Sequence, residues 1–128
     1  MFGATTEVLR NVTHDRSISS ASRGDASGAL KRLLSFDFVF IMHLMKEIMA
    51  ITNVLCQALQ QKSLDILNAI RLISTTKELI QDLRNNGWEP LFEKVKSFCA
   101  KHEVELPDMN RRYVDFIILR LHLFLYKA

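Results

Sequence analysis

A divalent-metal or nuclease centre needs several His, Cys, Asp or Glu side chains converging on one point. The four histidines, His14, His43, His102 and His122, are spread along the chain, and none belongs to an HExxH or paired CxxC spacing. His43 falls among apolar residues at helical spacing, where a hydrogen-bonded core imidazole is the expected role. His102 falls at a helix end, where a cation suits the dipole. Asp37, between Phe36 and Phe38, is expected either to meet a basic partner or to face water at a helix edge. A buried catalytic aspartate would need a second acid at a useful spacing, and none is there. Lys46-Glu47 reads as a solvated patch between apolar stripes. Glu7, Asp65 and Glu89 fall in first turns, where the helix dipole accounts for an acid. Four glycines supply no phosphate-cradling loop, and no Gly-x-Ser-x-Gly elbow occurs. Cys56 and Cys99 lie among apolar neighbours and read as reduced, buried thiols. The chain is therefore read as a non-enzyme with no catalytic residue, no metal ligand and no cofactor.

What would position these side chains is a set of helices. Residues 5–12 read as a short helix capped by Thr5 or Thr6. Residues 15–24, rich in Ser and without an apolar period, read as a mobile loop. Asp25 is the expected cap of a second helix over 26–60, with apolar stripes on more than one face, as a central helix requires. Such a helix would run about 50 Å, which leaves room for a bend or break near Ser35. Ser63 is the expected cap of a third helix, with the stripe Ile66, Ala69, Ile70, Ile73, Thr76, Ile80, Leu83. Asn85-Asn86-Gly87 would end it in the left-handed conformation. The fourth helix has the cleanest period: Trp88, Leu91, Phe92, Val95, Phe98, Cys99. Pro90 sits in its opening turn, and Glu105-Leu106-Pro107-Asp108 stops it. Short turns between these rods predict an all-α fold, an antiparallel helical bundle. The chain divides into a short helix and loop over 1–24, the bundle over 25–106, and a tail over 107–128, in which the apolar residues of 113–128 fit neither a one-sided helix nor strand alternation well and leave a fifth short helix or a strand-like tail open.

A length of 128 residues suits one domain with a modest core. With 48% apolar and 24% charged residues, the composition is that of a globular protein rather than a disordered one. The net charge of +3 comes from scattered basic residues, with Lys31-Arg32 and Arg111-Arg112 the only tight pairs. That distribution argues against direct nucleic-acid binding, which shows a basic stripe. The apolar run over 36–45 is interrupted by Asp37 and His43 and ended by Lys46-Glu47, short of the about 20 residues a membrane span needs. The start of the chain lacks a secretory pattern, so an intracellular protein is expected and the sequon Asn11-Val12-Thr13 reads as chance. The Met and Phe stripe Phe36, Phe40, Met42, Met45, Met49 offers more apolar surface than two short partner helices cover. It is the candidate partner-binding face.

Several phrases resemble plant proteins derived from hAT-type DNA transposases, of the TTF-type or MYM-type zinc finger kind. They are FDFVFIMHLMKEIMAITN at 36–53, LCQALQQKS at 55–63, DILNA at 65–69, GWEPL at 87–91, SFC at 97–99 and PDMN at 107–110, with RGD at 23–25. The resemblance spans roughly residues 4–114 and fades after Tyr113. It implies the helical insertion of an RNase H-like transposase core, without the zinc finger, catalytic acids or dimerisation segment of full-length members. No family catalytic role carries over to a residue of this chain. The resemblance implies a nuclear protein. Its role would be structural or protein-interacting, with partners among other proteins or the missing parts of a parent, and with no membrane or small molecule. The alternatives are a remnant of a metal-dependent transposase that binds nucleic acid, and a free-standing helical adaptor.

Overall fold

The computed structural model describes residues 1–61 and 65–108, which form five helices and no strand. They are α1 (Phe2–His14), α2 (Ser20–Leu33), α3 (Phe36–Leu59), α4 (Ile66–Asn86) and α5 (Trp88–His102). The all-α bundle expected from periodicity is the observed fold class. The tail over 109–128 and the proposed cap Ser63 lie outside the described residues.

The N-terminal third departs from expectation. α1 begins at Phe2, because Thr5 and Thr6 do not cap it. Their hydroxyls donate back to the carbonyls of Met1 and Phe2, at 3.0 and 2.8 Å, inside a helix already under way. Glu7 is therefore past the first turn. The Ser-rich stretch is not a loop throughout. Ser19 caps a helix, its Oγ accepting from the Ser22 amide at 3.2 Å, so Asp25 lies within α2 instead of capping it. Only residues 15–19 link the two helices. There Asp15 accepts from the Ser17 amide and hydroxyl at 2.8 and 2.7 Å, bonds that hold its carboxyl below the usual range. Ser residues serve as caps as readily as loop formers, which is why composition misled here.

The break near Ser35 is real. Its backbone turns extended, its hydroxyl donates to the Arg32 carbonyl at 2.6 Å, and its Oγ accepts from the Phe38 amide at 3.3 Å. One side chain thus closes α2 and opens α3. α4 is capped by Asp65, whose carboxylate accepts from the Leu67 amide at 3.4 Å. Gly87 alone separates α4 from α5.

The core lies between α3 and α5. Val39, Phe40 and Leu44 pack against Leu91, Val95 and Cys99, and Val104 folds back over them. Burying each large apolar side chain contributes roughly 1.5–3 kcal/mol. Val104 is placed by the end of α5: Glu103 adopts φ 55°, ψ 36°, and the Val104 amide donates to the Cys99 carbonyl at 3.0 Å. The helix therefore stops before the expected Glu105–Asp108 stretch. Aromatic rings extend the core at both ends. Trp88 stacks on Phe92 and meets Phe40, while Phe2 of α1 meets Phe98 and His102 edge-on. α4 pairs with α3 beside this core but adds only Thr76 to the buried set, with its hydroxyl satisfied by the Leu72 carbonyl at 2.7 Å.

Candidate functional site

The residues that could do chemistry are structural in their surroundings. The Nδ1 of His43 lies 2.8 Å from the Val39 carbonyl and the ring meets Phe98, so it is the hydrogen-bonded helix histidine expected. His102 closes α5 and packs on Phe98 and Phe2. Asp37 is exposed in the first turn of α3, at a helix edge. Asp65 opens α4. The two acids stand at opposite ends of α3, roughly 30 Å apart along its axis. Among the described residues no three His, Cys, Asp or Glu side chains converge as metal ligands would. Lys46-Glu47 is not wholly a solvated patch, because Glu47 pairs with Lys94 of α5.

The cysteines divide. Cys99 is fully buried, and that burial pushes its thiol above the ordinary value. Cys56 is exposed, contrary to expectation, because α5 packs on the first half of α3 and α4 covers the second half on another side.

The candidate face also divides. Phe40 is buried in the core and Phe36 packs against it, meeting Phe92. Met42 is half-buried, while Met45 and Met49 are exposed. At 100° per residue the two phenylalanines and the three methionines point to opposite sides of α3. The stripe is thus two surfaces, one spent on α5 and one uncovered. The uncovered one is longer than sequence suggested. Ile41, Met45, Met49 and Leu59 line it on α3, and Ile66, Ile70 and Ile73 line the same side of α4, all exposed. Their i, i+4, i+8 spacing on α3 and i, i+4, i+7 spacing on α4 were legible, but periodicity does not say which apolar side of a two-sided helix finds a partner.

A groove of about 330 Å³ runs between α3 and α4 on the side toward α5, lined by Ala50, Ile51, Val54, Leu72 and Leu79. A cleft of about 460 Å³ between α1 and the end of α5 carries Glu7, Arg10, Lys101, His102 and Glu103, mixed charges with no convergent set.

α3 runs 24 residues without a break, past Lys46-Glu47 to Leu59. By length and composition alone it is long and apolar enough to cross a membrane, with mean hydropathy 1.5 and 17% of that stretch buried. The run did not end at Lys46-Glu47 because two adjacent charges do not stop a helix. The Glu47–Lys94 pair and the α5-facing core account for one side of α3.

No family model matches the sequence, and no solved structure matches the fold. The transposase resemblance is carried by the quoted phrases alone.

Proposed function

We propose that this chain is a non-catalytic helical module that works by packing against protein. It would correspond to the helical insertion of a hAT-transposase-derived protein of the TTF or MYM zinc finger kind, acting in the nucleus. The observation that supports the reading is the apolar side of the α3/α4 hairpin. Met49 is 62% exposed, Ile66 75% and Ile70 57%. Large apolar side chains exposed in this number along one side of a small protein mark an interaction surface. The separation of Asp37 from Asp65 supports the non-enzymatic half, since two-metal strand transfer needs carboxylates a few ångströms apart. The test is incubation of the purified chain with labelled duplex DNA and Mg²⁺ or Mn²⁺. Intact DNA is expected. Cleavage that disappears in Asp37→Asn or Asp65→Asn would overturn the reading.

A further inference from the structure

We infer that the uncovered side of the α3/α4 hairpin is occupied by a second copy of this chain, two hairpins closing a four-helix bundle about a two-fold axis. The inference rests on the interaction reading above and names its partner.

Three observations carry it. The first is area. Ile41, Met45 and Met49 of α3 with Ile66, Ile70 and Ile73 of α4 are 44–75% exposed. They offer on the order of 600 Å² per copy, the lower bound for a specific interface burying about 1,200 Å² in total. The second is charge. Lys46 and Glu47 are the only formally charged side chains from Ile41 to Gln61, and Glu47 is drawn to Lys94 of α5, while Arg71 is the only one from Ile66 to Thr76. A charged partner segment would lose hydration against this face with nothing to compensate it. An identical copy brings the same largely uncharged surface. The third is geometry. An antiparallel pair of helices with one apolar side is half of a four-helix bundle, and a self-complementary patch is what a two-fold interface requires. Flexible Met45 and Met49 opposite stiff isoleucines suit such packing.

The test is the molar mass of the full chain, by light scattering across a concentration series, with binding of an apolar fluorescent dye as the second measurement. A dimer at tens of micromolar is expected. Ile70→Glu and Met49→Lys, at exposed positions, should each weaken it about thirtyfold or more while leaving the helical circular dichroism unchanged. Leu79→Glu, on the groove side of the hairpin, should leave it intact. A dimer insensitive to Ile70→Glu and Met49→Lys would overturn the inference. A monomer that binds the dye, with binding lost in Ile70→Glu, sinks the dimer and spares the interaction reading. A monomer that binds no dye has no available apolar face and sinks both.

Discussion

Phe40 is the largest buried side chain among the described residues, and it joins the aliphatic centre of the core to the Trp88 ring at 5.4 Å. Phe40→Ala should cost about 3–5 kcal/mol, read from urea unfolding. A much smaller loss would mean that α3 and α5 pack loosely. Cys99 offers a gentler probe of the same contact. In a Cys56→Ser chain, Cys99 should resist a thiol reagent at neutral pH until urea unfolds the protein. Burial favours the neutral thiol, so the unfolded chain ionises first, and stability should decline as pH climbs past the ordinary value of 9.0. Glu103 and Gly87 make a pair at this scale. Glu103 takes the left-handed turn without being glycine, so Glu103→Gly should stabilise by about 1 kcal/mol. Gly87 has φ −80°, so it is not the left-handed stop that Asn85-Asn86-Gly87 suggested. It is needed for a different reason. A Cβ there would sit 2.4 Å from the Leu83 carbonyl oxygen, and Gly87→Ala should destabilise by about 1–3 kcal/mol.

At the scale of elements, the helices over Ile66–Asn86 and Trp88–His102 were legible because each carries one apolar stripe at helical spacing. The second predicted helix, over 26–60, was legible as helix, and its length alone suggested a bend or break near Ser35 without saying what makes it. Leu34-Ser35 contains no Gly or Pro, and the break depends on a serine serving both ends at once. Ser35→Ala should therefore lower the melting temperature by about 4 °C, as loss of a cap worth about 1 kcal/mol does. The Glu47–Lys94 pair bridges α3 and α5 but is partly exposed, with side chains 31% and 59% accessible. Its double-mutant coupling should stay below about 1 kcal/mol. The candidate face divides for a reason that belongs to this scale. Phe36, Phe40 and the methionines share a helix but not a side, and only the position of α5 decides which side is used.

For the whole molecule, α1 and α2 run as a pair up to Ser35, where α3–α5 begin. The pair touches the rest through Phe2, which covers Phe98 and His102. A chain starting at Ser35 should keep the circular dichroism of α3–α5 yet melt at lower temperature. Complete loss of helix would show the first pair to be integral. One feature of this architecture bears on how the chain tolerates change in length. Across Gly87 the backbone ladder hardly pauses: its amide reaches the Leu83 carbonyl at 2.9 Å and its own carbonyl receives the Leu91 amide at 3.1 Å. Adding one amino acid at that joint would rotate everything downstream by about 100° and carry Val95 and Cys99 off the centre they share with Val39. Spacing at position 87 is thus under as tight a constraint as any buried group, and insertions or deletions there should be purged where substitutions nearby are tolerated.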